Sequence, residues 1–355
     1  MNKNAAPMIL IRTDANSRIA TGHMMRTLSI ASECKRRNIK VCFVLADNES
    51  ECVFQKLCLD LESFQTEILK TKFDEPDSEI AAFTDIIAKK NPFAVLIDSY
   101  FVTPFYLTEI SQIVRTFYLD DLNAFDYPVD VVINYCINAK PPSRTGTFPH
   151  GKKYLLGPAY APLREQFRDL SYHVKKEIKD ILITTGGTDE EGLTSKIITA
   201  VKETLGESVT CHVVIGVINR HRENLHSLAL KDNSLKIYEA YAEMAALMQK
   251  CDLAISAAGS TLYELCAVGL PTICFTTADN QRSNAIGLSA TKALIYAEDK
   301  DFARHISELA YDYSSRKKLS ISMQNLVDGY GASRIVDELV RTLLYDWTAM
   351  KERAK

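Results

Sequence analysis

The sequence lacks any apolar run near the ~20 residues that cross a membrane, and residues 1–7 carry no apolar core of a signal peptide. A cytoplasmic chain is expected. Charge of one sign is missing too: 42 Lys and Arg stand interspersed among 45 Asp and Glu, for a net charge of −3. That balance offers no footprint for a polyanion or an anionic lipid surface, so neither nucleic acid nor membrane is expected as a partner. Nine cysteines, at 34, 42, 52, 58, 136, 211, 251, 266 and 274, form no C-x-x-C pair. They suit reduced thiols packed as small hydrophobes, and no structural metal is expected. Neither the G-x-G-x-x-G dinucleotide fingerprint nor the G-x-x-x-x-G-K-[ST] phosphate loop marks the turns, so NAD binding and ATP hydrolysis lack their usual support and no cofactor is expected. No repeat or low-complexity tract interrupts the chain.

What remains is an ordinary globular composition, 46% hydrophobic over 355 residues, long enough for two domains. Short continuous apolar runs at 8–11, 40–45, 93–97, 116–119 and 130–133 alternate with helical patterns, which predicts a parallel sheet buried on both faces. After a polar, basic stretch through Lys175, Lys176 and Lys179 the alternation resumes, with strands at 181–185, 211–215, 235–238, 253–256 and 272–275. The fold class expected is α/β, with two facing Rossmann-type parallel-sheet domains and a cleft between them, divided as 1–165 and 166–355. Ile335/Val336, Leu339/Val340, Leu343/Leu344 and Trp347 recur every three to four residues after Gly329-Tyr330-Gly331, so a terminal amphipathic helix is expected within the second domain.

The segment 12–22 joins the first strand to a helix predicted over 23–38, on which Met25, Leu28 and Ala31 share helical spacing. Open α/β sheets bind ligands at such strand ends. His23 opens that helix; it either packs locally or presents a titratable imidazole to a ligand, and its position favours the second reading. Tyr100, after the run ending in Asp98, lies on the same edge if the crossovers are right-handed. Asp120 and Asp121 read as caps or turn residues rather than catalytic acids. In the second half, Ser256-Ala257-Ala258-Gly259-Ser260-Thr261 reads as strand end, small-residue turn and helix start. Its first amides are ready for an anion, although Ser260 and Thr261 with Glu264 one turn later could equally form a capping arrangement with no ligand. The turn Gly186-Gly187-Thr188-Asp189 offers further backbone donors. Two such turns suggest a pyrophosphate.

The ordered set Arg12-x-Asp14, Gly22-His23-Met24-Met25-Arg26, Asp98-x-Tyr100, Asp120-Asp121, Leu156-Gly157-Pro158-x-Tyr160-Ala161-x-Leu163-Arg164, Gly186-Gly187-Thr188-Asp189, Gly259-Ser260-Thr261-x-x-Glu264 and Asn280-Gln281 resembles the UDP-2,4-diacetamido-2,4,6-trideoxy-β-L-altropyranose hydrolases of pseudaminic acid biosynthesis, over about residues 9–290. The second-half pattern Ala242-Glu243-Met244-Ala245 with Ala258 to Glu264 is also similar to the GT-B glycosyltransferase that makes lipid II. The resemblance implies a GT-B-like fold and a metal-independent, cofactor-free enzyme; the two-domain architecture demands no partner chain, which leaves a monomer open. It implies that His23 is the general base acting on water, with Arg12, Asp14, Gly22 and Tyr100 near the sugar. Gly186, Gly187, Thr188, Ser260 and Thr261 would hold the pyrophosphate, Glu264 the ribose hydroxyls, and the backbone near Tyr241 the uracil; Asn280 and Gln281 would contact sugar or phosphate. Two departures are Ser99, where a histidine is common, and Ala20, where many members have glycine; alanine is expected to keep that turn at negative φ.

The chemistry implied is hydrolysis of a UDP-linked sugar at its anomeric carbon with inversion. A GT-B glycosyltransferase would use the same donor with another acceptor, and a nucleotide-sugar sensor would bind without reacting. A Nudix-type cut within the pyrophosphate is disfavoured, because no Glu-rich helix supplies divalent-metal ligands.

Overall fold

The computed structural model describes residues 6–58, 60–141, 152–187, 189, 191–216, 219–239, 243–298 and 300–353, the last ten without their side chains. The chain divides into two compact units, 1–164 with 330–355, and 165–329.

Among the described residues the first unit holds seven strands: β1 (Met8–Thr13), β2 (Lys40–Leu45), β3 (Gln65–Ile68), β4 (Ala94–Asp98), β5 (Thr116–Leu119), β6 (Val131–Asn134) and β7 (Lys153–Leu156). They pair in parallel in the order β3-β2-β1-β4-β5-β6-β7. The helices are α1 (Gly22–Arg36), α2 (Asn48–Leu57), α3 (Ile80–Lys90) and α4 (Pro104–Ile113). Central strands such as Ile9-Leu10-Ile11 and Val95-Leu96-Ile97 are fully buried, as continuous apolar runs require when helices cover both faces. One core cluster joins Leu10, Val44, Val95 and Ile97 to Phe83, Ile87, Tyr106 and Ile110 of α3 and α4.

The second unit repeats the plan with β8 (Asp180–Thr184), β9 (Thr210–Ile215), β10 (Leu235–Glu239), β11 (Leu253–Ala257), β12 (Thr272–Phe275) and β13 (Ile295–Tyr296). These strands are also parallel, in the order β10-β9-β8-β11-β12-β13. Its helices are α5 (Leu193–Leu205), α6 (Arg222–Ala229), α7 (Met244–Lys250), α8 (Thr261–Val268), α9 (Arg282–Ala290), α10 (Phe302–Tyr311) and α11 (Tyr313–Leu326). Ile181, Ile183, Val213, Ile255 and Ile273 pack with Ile197, Val201 and Ile306 in its core.

The terminal helix α12 (Gly331–Arg353) corrects the sequence expectation, because it belongs to the first unit rather than the second. Ile335, Val336 and Leu339 are fully buried, and polar groups tie the helix to α1 and its surroundings. Arg37 pairs with Asp337 and donates to Ser333 Oγ at 2.6 Å, while Arg334 donates to the Ala159 carbonyl at 2.8 Å. Gly331 admits this approach: a Cβ there would stand 2.0 Å from the Ala161 carbonyl oxygen. An amphipathic stripe states that a helix must pack, not against which sheet layer.

All nine cysteines are free, and burial pushes the thiols of Cys34 and Cys266 up to about 12, so they sit as inert apolar groups. No helix among the described residues is long and apolar enough to cross a membrane.

Candidate active site

In each sheet the strand order reverses direction at one place, and ligands of open α/β folds bind outside the carboxyl ends of the strands there. In the first unit that place is the β1/β4 pair, where Thr13 stands in register with Asp98. The chain leaving β1 enters α1 through residues 14–21, and His23 is the helix's second residue.

His23 Nδ1 lies 2.5 Å from Asp98 Oδ1. Arg26, one turn further along α1 on the same face, clamps that carboxylate through Nε to Oδ2 at 2.6 Å and Nη2 to Oδ1 at 2.5 Å. Burial opposes the charge on Asp98, but Arg26 and His23 outweigh it and hold the carboxyl down at about 2. With Asp98 ionised, Nδ1 is the donor of the short contact, so the neutral form of the imidazole carries its lone pair on Nε2. That atom has no hydrogen-bond partner among the described residues. The imidazole is 3% exposed and meets Tyr100 edge-on, with ring centroids 4.2 Å apart. Tyr100 donates to Asp121 Oδ2 at 3.2 Å, and Arg26 Nη1 reaches the same carboxylate at 2.9 Å and the Tyr135 hydroxyl at 2.8 Å. Burial pushes the Tyr100 hydroxyl up, so it remains a donor.

The other expected residues of this unit play different parts. Arg12 is buried and forked onto Glu79 at 2.7 and 2.8 Å, with Nη1 on Asp14; Asp14 also accepts from the Ala46 amide at 2.8 Å. Both brace the end of β1. Asp120 organises its own turn, accepting from the amides of Leu122 and Asn123 and from the Tyr127 hydroxyl. A Cβ at Gly22 would meet nothing within 4 Å, so packing does not demand glycine there. Ala20 overturns the expectation of negative φ: it sits at +57°, in the left-handed region, held by an antiparallel bridge to Asn16.

In the second unit the reversal falls between β8 and β11, whose register pairs Thr184 with Ser256. The two small-residue turns therefore leave neighbouring strands. Ser260 makes no side-chain cap hydrogen bond, so its half of a capping box is absent. Gly259 and Gly186, the latter at φ +86°, each leave open space where a Cβ would stand. Gly216, after β9, packs so close that a Cβ would meet the Gly187 carbonyl oxygen at 2.5 Å. Asp189 turns inward and accepts from the amides of Leu193 and Thr194 at 2.8 and 3.3 Å, so α5 is capped from within and the donors here are those of the Gly186-Gly187 turn. Glu264 lies one turn into α8, half-buried, while Asn280 and Gln281 fall on the 3-10 turn after β12, where Gln281 Oε1 accepts from the Thr277 amide at 3.0 Å. Thr188 and Tyr241 lie outside the described residues.

Sequence reading alone passed over Arg26, Asp121, Tyr135 and Glu79 as site members. The spacing of Arg26 three residues after His23 was a signal for one of them; the rest join through the sheet.

Residues 181–334 match the Glycosyltransferase family 28 C-terminal domain. An uncharacterized protein of Methanocaldococcus jannaschii is 27% identical over 77% of this chain, and the matched stretch spans 56% of that relative's length. The UDP-2,4-diacetamido-2,4,6-trideoxy-beta-L-altropyranose hydrolase of Campylobacter jejuni is 25% identical over 79% of this chain and 96% of its own. Among solved structures, MurG of Acinetobacter baumannii superposes with a TM-score of 0.65 at 14% identity, covering 94% of this chain and 100% of that one. Fold and match place the chain among proteins of GT-B fold, with a family 28 type C-terminal domain match in its second half. Among these, the chain resembles the diacetamido-trideoxy-altropyranose hydrolases, the similarity running through both units.

Proposed function

We propose that the chain is a hydrolase of a UDP-linked diacetamido-trideoxy sugar, releasing free sugar and UDP, and that it serves nonulosonic (pseudaminic) acid biosynthesis for cell-surface polysaccharide, in the cytoplasm. The observation that carries this reading is the His23 imidazole, with Nδ1 fixed on an ionised Asp98 and Nε2 left unpartnered. A water against Nε2 gives up its proton there as its oxygen attacks the anomeric carbon, and the bond from that carbon to the diphosphate oxygen breaks with its electron pair leaving on UDP. The anomeric configuration inverts. Asp98 stabilises the imidazolium that forms, and the donors of Ser260, Thr261, Gly186, Gly187 and Thr188 receive the charge that develops on the diphosphate. Glu264 takes the ribose hydroxyls, the backbone near Tyr241 the uracil, and Asn280 and Gln281 the sugar or phosphate. Tyr100 lies against the base, and Arg12 and Asp14 hold the loop that carries it rather than touching sugar. The name of the Campylobacter relative supports the choice of substrate. No step needs a metal.

Replacing His23 with alanine is expected to lower kcat by roughly 10²–10⁴, the range for a general base, while UDP affinity stays unchanged, because the nucleotide contacts lie on the second unit. Turnover equal to wild type would remove His23 from the mechanism. A second reading, transfer to another acceptor, is favoured by the family 28 match. Sustained UDP release from the UDP-sugar without an acceptor separates hydrolysis from it.

A further inference from the structure

Three buried polar atoms of the first unit have no hydrogen-bond partner among the described residues and come from one short stretch of chain: Thr13 Oγ1, Asn16 Nδ2 and His23 Nε2. Thr13 is 0% exposed and Asn16 1%. Buried polar groups in folded proteins are nearly always paired, so three in the stretch from Thr13 at the end of β1 to His23 at the start of α1 call for an occupant. The loop is otherwise firmly built. Asn16 Oδ1 accepts from the amides of Arg18 at 2.9 Å and Ile19 at 3.1 Å, which fixes the amide's orientation and makes the unpartnered end a donor. Thr13 closes β1 in register with Asp98, the residue that orients His23. The set therefore offers a hydroxyl, an amide donor and an imidazole lone pair.

The charges around it exclude an anionic occupant. Arg12 is engaged by Asp14 and Glu79, and Arg26 by Asp98 and Asp121. Two guanidiniums are thus outnumbered by four carboxylates, and a phosphate brought here would meet net negative charge. A neutral ligand rich in hydroxyl and carbonyl groups suits that charge balance.

We propose that Thr13 and Asn16 bind the neutral sugar portion of the substrate, Asn16 Nδ2 donating to an acetamido carbonyl oxygen and the Thr13 hydroxyl exchanging a hydrogen bond with a ring hydroxyl. The proposal rests on the UDP-sugar reading and adds to it the residues that select the sugar. The test uses Thr13→Val, which keeps the shape and deletes the hydroxyl, and Asn16→Asp, which keeps the acceptor for both loop amides and replaces the donor with an oxygen. KM for UDP-2,4-diacetamido-2,4,6-trideoxy-β-L-altropyranose rises about tenfold or more in each, the scale of one lost hydrogen bond, while the Kd for UDP stays constant. Thr13→Val, relieved of an unpaired hydroxyl, also melts at the same or a higher temperature than wild type without ligand. Unchanged KM in both variants of an active enzyme would overturn the proposal and assign these atoms to trapped water. A loss of UDP affinity in step with KM would overturn it as well, by marking general damage to the fold. If wild type releases no sugar from this substrate, the UDP-sugar reading falls first and this proposal with it, a result that the wild-type control distinguishes from failure of the variants.

Discussion

At His23 the demands of chemistry and of burial oppose each other, and Asp98 with Arg26 reconciles them. A carboxylate with no exposure would be driven toward its neutral form; the clamp of Arg26, together with the imidazole, holds it down at about 2 instead. A carboxyl depressed in the folded state stabilises the fold above the ordinary aspartate range and stops doing so as pH falls through its folded value. Stability is therefore expected to decline between roughly pH 4 and pH 2 in an acid titration followed by circular dichroism. In Asp98→Asn that dependence should flatten, kcat should fall by about 10²–10⁴, and Arg26, which keeps Asp121 but loses its buried clamp on Asp98, should lower stability by about 1–3 kcal/mol. A variant with wild-type kcat would detach Asp98 from the base. Ala20 carries a separate expectation. Alanine at φ +57° is strained by about 1 kcal/mol or more, so Ala20→Gly should raise the thermal midpoint by a few degrees and leave kcat unchanged. An unchanged or lower midpoint would show that the bridge to Asn16 relieves that strain. At this scale His23 and Tyr100 were legible because each follows an apolar run. Glu79 was not, since 67 residues separate it from Arg12 and only the folded sheet brings the two together.

Among the elements, the buried central strands could be read directly, and of the four edge strands only β10 could. The strands missed, β3, β7 and β13, all lie at sheet edges. The sequence of β3, Gln65-Thr66-Glu67-Ile68, is largely polar because one side of it faces solvent, and β13 spans two residues. Turn chemistry was partly visible. The small residues after β8 and β11 mark both turns, but the inward cap of Asp189 on α5 depends on a backbone at φ +48° that spacing does not reveal. The close contact of Gly216 with Gly187 gives this scale its prediction. Gly216→Ala places a methyl 2.5 Å from the Gly187 carbonyl oxygen, where no real Cβ sits, so the Gly186-Gly187 turn must shift. UDP affinity is expected to fall about tenfold by calorimetry, a loss of about 1.4 kcal/mol, while the Asp98-dependent acid profile of the first unit stays as it was. Undiminished affinity would mean that the diphosphate does not rest on that turn.

On the scale of the molecule, two parallel sheets of similar plan were legible from alternation alone, whereas the return of α12 to the first unit was not. Its stripe demanded a partner, and the pairing of Arg37 with Asp337 and Ser333, some 300 residues apart, is a fact of the tertiary fold. The unit carrying His23 is thus built from two segments, residues 1–164 and 330–355, so it is complete only once α12 has been synthesised. The account's central claim is that water, activated on the first unit, replaces UDP at the anomeric carbon. It is tested most directly by incubating the enzyme with UDP-2,4-diacetamido-2,4,6-trideoxy-β-L-altropyranose in ¹⁸O-labelled water, without any acceptor, and locating the label by mass spectrometry. The account predicts sustained turnover with ¹⁸O in the free sugar and none in UDP; label in a phosphate product, or no release until an acceptor is added, would contradict it.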